Sequence, residues 1–216
     1  MTKRNPLSQY PHFVVLYLDQ LRNAWSWVEK ADEMLEASKI LEPQLRQYWS
    51  IVQTNAKEGK YDKDGKHPDI PPPNLHGPYF ILVAYALENL FKALIIRERS
   101  NEIDSQFLQT GSLPRLINEH NLVKLSEKAN IKLDINEEDV LTRLSRQSKW
   151  KSRYPVPVEL HDIRNVIQYS DGKPYFTDYY APGDLDQLNA IVRKVRSHVQ
   201  VLLGQSSLHK TRSAKI

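Results

Sequence analysis

Hydrophobic positions recur along most of this chain in steps of three and four, the spacing that gathers side chains on one face of a helix. The most apolar stretch, Tyr79 to Arg97, puts Phe80, Val83, Leu87, Leu90 and Leu94 on one stripe, with Ala84, Phe91 and Ile95 widening it. A stripe that wide needs cover from more than one side, so this segment is expected to be the central helix. Glu88 and Lys92 interrupt it one turn apart, acid before base, in the order that favours an intrahelical pair. They read either as an ion pair at the rim or as structural polar anchors for a loop or ligand at the bundle surface.

Upstream, a long helix is expected from Phe13, with Leu18, Leu21, Trp25, Val28 and Leu35 on its stripe. Pro43 fits the first turn of a second helix carrying Leu45, Tyr48, Trp49 and Val52. Two packed helices and one bent helix both satisfy this pattern. Between Asn55 and Pro78 the periodicity stops, and the run Pro71-Pro72-Pro73 predicts a long surface loop with His67 and His76 exposed beside it. Asp62-Lys63-Asp64-Gly65 resembles the start of a calcium loop, but the glycine comes two places early and Lys66 stands where a ligand belongs.

Downstream, Ser100 to Pro114 reads as a polar connection. A short helix follows, with Leu122, Leu125 and Ala129 inward, His120 at or near its start as a cap or packing residue, and Asn130 at its C-terminal cap. Asn136 is expected to cap the next helix, whose inner face is Val140, Leu141 and Leu144. Asp171-Gly172 between two short β-prone runs predicts a hairpin spanning Val166 to Phe176. Asp184, with Gln187 three residues on, opens the last helix, whose stripe runs from Leu185 through Leu188, Val192, Val195 and Val199 to Leu202. Gly204 is expected to end it, before a mobile basic tail. The pattern predicts an all-α fold with a small β-hairpin insertion before the last helix. Its segments are N-terminal helices (1–60) packing on the bundle, a proline-rich loop (61–77), the main helical bundle (78–203) and a basic tail (204–216).

Composition narrows the chemistry. The 216 residues include no cysteine, which excludes disulfides, thiolate metal sites and a cysteine nucleophile. No metal or other cofactor is expected. The start lacks the apolar run of a signal peptide, and Glu88 and Lys92 interrupt the central helix, so no membrane span is read and a cytoplasmic protein is expected. A net charge of +4 leans towards acidic partners, and its distribution is more informative than its size. Arg143, Arg146, Lys149, Lys151 and Arg153 follow one another without an acid, interleaved with Trp150 and Tyr154. Cations hold phosphates and aromatic faces stack unpaired bases, so Arg146, Lys149, Trp150, Lys151 and Tyr154 are candidate RNA-binding residues. The alternative is a solvated helix end whose bases complement the helix dipole.

Taken in order, Ala86-Leu87-Glu88 with Lys92-Ala93, then His120-Asn121-Leu122 with Lys124-Leu125, then Arg153-Tyr154-Pro155 and a last amphipathic helix resemble the HEPN superfamily over roughly residues 78–203. The resemblance implies an up-and-down helical bundle. It also implies one of two activities: metal-independent RNA cleavage, or binding without catalysis, in toxin–antitoxin or phage-defence settings. Catalytic members carry an Arg and a His separated by four to six residues, often in a dimer cleft. The Arg stabilises charge on the phosphate, and the His moves a proton during attack by the ribose 2′-OH. Arg153 and His161, one residue beyond that spacing, are the preferred catalytic pair, and Arg115 and His120 are the reserve pair. Arg193 and His198 share the spacing but fall mid-helix. The resemblance thus implies an RNA-binding protein, or one binding a nucleotide-bearing partner, with a ribonuclease and a non-catalytic dimeric scaffold as alternatives. Its expected partners are RNA, a second copy of the chain and a protein encoded elsewhere.

Overall fold

The computed structural model describes residues 11–60, 75–146, 148, 166–168, 174–176 and 182–213. Among these the chain is all-α apart from one pair of short strands. The helices are α1 (Pro11–Arg22), α2 (Ala24–Lys57), α3 (His76–Glu98), α4 (Ser100–Thr110), α5 (Leu122–Lys128), α6 (Ile135–Arg146) and α7 (Pro182–Ser213). The strands β1 (Val166–Gln168) and β2 (Pro174–Phe176) pair antiparallel, with Ile167 opposite Tyr175.

The central helix lies where its stripe predicts it. α3 touches all six other helices, and Phe80, Leu87, Leu90, Phe91, Leu94, Ile95 and Ile96 are sealed from solvent. Each such side chain contributes about 1.5–3 kcal/mol of burial, so α3 anchors the fold. One continuous core joins Leu18 and Leu21 of α1, Val28, Ala31 and Leu35 of α2, and Leu185 to Leu203 of α7. α3 is also long and apolar enough to cross a membrane by length and composition, but most of it is buried inside the bundle.

Several boundaries differ from the sequence expectation. The first break falls at Asn23, whose side chain accepts the Trp25 backbone N–H and starts a new helix. Pro43 lies inside the unbroken α2, on its solvent-facing side. Trp25, placed on the inward stripe, is half exposed, and Trp27 packs against the core instead. Ser100 to Thr110 is a helix, because Ile103 and Phe107, one turn apart, are buried against the bundle. Gly111 then ends α4 in the left-handed conformation that glycine adopts without strain.

His76 is half-buried in the first turn of α3, with its ring edge-on to Trp49 and Phe80, and is not an exposed loop residue. Asp134, not Asn136, caps α6: its Oδ1 accepts the backbone N–H groups of Asn136 and Glu137, while Glu137 reaches back to the Asp134 N–H. Asn130 takes the left-handed conformation just past α5, as its position suggested. α7 runs through Gly204 to Ser213. The calcium-like run and His67 lie outside the described residues.

Candidate functional site

Because α3 is surrounded, its two charged interior side chains are buried. Lys92 Nζ donates to Glu88 Oε1 at 2.6 Å, and their side chains are only 5% and 11% exposed. The expected pair is present, but it sits in the core and not at the rim. Burying two charges is unfavourable unless their remaining hydrogen-bonding capacity is met. Part of it is: Lys92 Nζ lies 5.9 Å from the centre of the Trp27 ring, a cation–π contact from α2. On its other side the Glu88 carboxylate receives His120.

His120 comes from the α4–α5 connection, and the local sequence fixes it there. Ile117 is buried and pins the turn, and Lys128 Nζ donates to the Leu116 carbonyl at 3.2 Å. Glu119 folds back so that Oε1 accepts the backbone N–H groups of His120 and Asn121, both at 3.0 Å. Asn121 caps α5 by accepting from the Val123 and Lys124 amides. The Leu122 amide donates to Ser145 Oγ at 2.9 Å, which docks the start of α5 on α6. Burial opposes the Glu119 charge. The amides of Asn121 and His120 outweigh it, helped by Lys128 and Lys124, and hold this carboxyl below the usual range.

With its backbone held, the His120 ring places Nδ1 at 3.0 and 3.1 Å from the two Glu88 oxygens. Glu88 is already an acceptor for Lys92, so the Nδ1 position carries the proton and donates. That leaves Nε2 as the uncommitted ring nitrogen on a side chain 60% exposed. A surface imidazole oriented from behind by a buried carboxylate is the arrangement a general acid–base requires. Among the described residues, no three His, Asp or Glu side chains converge as a metal-ligand set.

The other candidates lie elsewhere. Arg115 is exposed in the turn before His120 and lines a separate groove with Gln106, Gln109 and Asn118. His120 does not line that groove. Arg153 and His161, with Lys149, Trp150, Lys151 and Tyr154, lie outside the described residues. Arg146 is half-buried in the last turn of α6.

Arg143 is not part of an open basic surface. Its guanidinium holds Asp184 in two bonds of 2.8 and 3.0 Å, and its Nε donates to Asp139 at 2.9 Å. The hydrogen bond to Asp184 outweighs desolvation and raises the Arg143 pKa further. Arg193 and His198 are exposed on α7, where His198 Nδ1 donates to the Lys194 carbonyl at 2.9 Å.

Glu119, Asn121 and Trp27 complete the site without having been singled out as site residues. Asn121 immediately before an apolar helix carried an N-cap signal. Trp27 flanks the Ala24-Val28-Ala31-Leu35 stripe, and only the packing of α2 on α3 shows that its ring meets Lys92.

Fold and site together define an all-α protein with one surface histidine positioned by a buried Glu–Lys pair. The chain has no significant match among protein-family models, curated proteins or solved structures.

Proposed function

We propose that this is a HEPN-like, RNA-acting protein in which His120, oriented by Glu88 and Lys92, is the general acid–base of metal-independent RNA cleavage. The observation that carries this reading is the carboxylate-held imidazole with Nε2 uncommitted. In the proposed reaction Nε2 takes the proton of a ribose 2′-OH as the 2′-oxygen attacks phosphorus. The P–O5′ bond then breaks, and the proton passes to the departing 5′-oxygen, leaving a 2′,3′-cyclic phosphate. A cation must offset charge on the phosphate. Arg115 and Arg153 are its candidates. The segment from Arg146 to Tyr154 supplies strand binding, and the β1–β2 pair forms a hairpin insertion on an up-and-down bundle.

The test is cleavage of a mixed labelled RNA pool in EDTA. Activity lost in His120→Ala and kept in His161→Ala is the expected result. Full activity in His120→Ala overturns it.

A second reading takes support from the same contacts. Glu88, Lys92, Trp27 and His120 tie α2, α3 and the α5 entry together, so the cluster can serve as a structural clamp in a binding protein for RNA or a nucleotide-bearing partner. RNA retained on a filter without cleavage by the wild type selects that reading.

A further inference from the structure

A groove of about 340 Å³ lies between α1, α2, α3 and the α4–α5 connection, and its Trp27 is the ring that Lys92 of the cluster touches. Tyr17, Gln20, Trp27, Lys30, Asn89 and Leu113 line it. Both aromatic walls are braced from outside the groove. Tyr17 stacks nearly face to face on Phe107, with ring centres 4.6 Å apart and planes 17° apart. Trp27 is backed by the Lys92 ammonium. The polar lining suits the edge of a base. Asn89 Nδ2 is committed to the Tyr85 carbonyl at 2.8 Å, which leaves Oδ1 as an acceptor, and Gln20 adds an exposed amide.

We infer that this groove is the base-binding subsite of the proposed RNA-acting site and takes one unpaired RNA base against Tyr17 and Trp27. The inference rests on the reading above and names where the substrate sits. Two observations favour a base over an aliphatic ligand: Tyr17 and Trp27 both line the groove, and the Asn89 and Gln20 amides stand beside them. The groove is also wired to the histidine. Trp27 meets Lys92, Lys92 bonds Glu88, and Glu88 holds His120, so Trp27 lies three contacts from the imidazole. Leu113 lines both this groove and the one containing Arg115, so the two adjoin at that residue.

The test measures binding of short labelled single-stranded RNA in EDTA by anisotropy, with cleavage followed in parallel. Tyr17→Ala and Trp27→Ala are each expected to weaken binding about ten-fold, the size of one lost base–aromatic stack. Trp27→Phe is expected to retain binding, and a duplex of the same sequence not to compete. Tyr17 is 42% exposed but covers Phe107, so Tyr17→Leu, which keeps that cover and removes the stacking face, decides the matter even where an alanine variant fails to fold.

Wild-type affinity in Tyr17→Leu, or equal competition by the duplex, overturns the groove. If cleavage still depends on His120 in that case, the functional reading stands alone. Binding lost in Tyr17→Leu with no cleavage by any protein keeps the subsite and removes the catalytic role. No RNA binding by the wild type removes both.

Discussion

At the scale of single residues, Lys92 separates structure from chemistry. Replacing it with Met leaves the Glu88 carboxylate buried with His120 as its remaining side-chain partner. The expected cost is about 3 kcal/mol, read from urea denaturation. Adding Glu88→Gln removes the stranded charge and should restore much of that stability. Cleavage should nevertheless stay low in the double variant, because the imidazole has lost its ionised carboxylate. A double variant that is both stable and active would show that Glu88 does not orient His120.

Glu119 gives the pH dependence. Its carboxyl titrates below the ordinary 4.5 in the folded state, so folding favours its charged form. That contribution is complete above the ordinary value and is lost as pH falls through the lower, folded value. The melting temperature of Glu119→Gln should therefore lie below wild type near neutrality, and the gap should close on acidification below about pH 4. A gap independent of pH would mean that the folded backbone turn, and not the charge, does the holding.

Among the helices, the joint between α6 and α7 depends on Arg143. Its two bonds to Asp184 hold the first turn of α7 on α6, while Lys194 ties the next turns to Glu137 and to the Lys132 carbonyl. Arg143→Met should destabilise the fold by about 3 kcal/mol, because Asp184 stays buried without its bidentate partner. Arg143→Lys should recover only part of this, since an ammonium cannot form the paired bonds. Faster hydrogen exchange confined to the start of α7 would locate the effect, and unchanged exchange there would refute it.

This joint also marks how far the sequence could be read. The stripes of α3, α6 and α7 were legible because their periodicity matches their burial. α4 was not, because only Ile103 and Phe107 point inward on an otherwise polar helix. Arg143 read as part of a basic run because Asp184 lies forty-one positions away. The Glu88–Lys92 pair was visible at its helical spacing. Its union with His120 and Trp27 needed the packing of α2 and the α5 entry on α3, which local spacing does not encode.

For the molecule as a whole, the question is where the positive charge is available. Many bases on the described helices are already engaged: Arg22 by Asp104, Arg46 by Glu42 and Asp186, Arg143 by Asp184 and Lys194 by Glu137. Such pairs add little to a long-range field. The segment from 147 to 165 carries Lys149, Lys151, Arg153 and Arg164 against Glu159 and Asp162, so it holds a net excess of base. If that segment binds the strand, each phosphate it neutralises contributes about 0.7 to the slope of log affinity against log salt. Changing Lys149, Lys151 and Arg153 together to Gln should then weaken RNA binding at low salt and flatten the slope by about 2. Tyr17→Ala should weaken binding without changing the slope, because stacking releases no counterions. A triple variant with the wild-type slope would place strand binding elsewhere on the surface, and the base groove would then have to be fed from a different side.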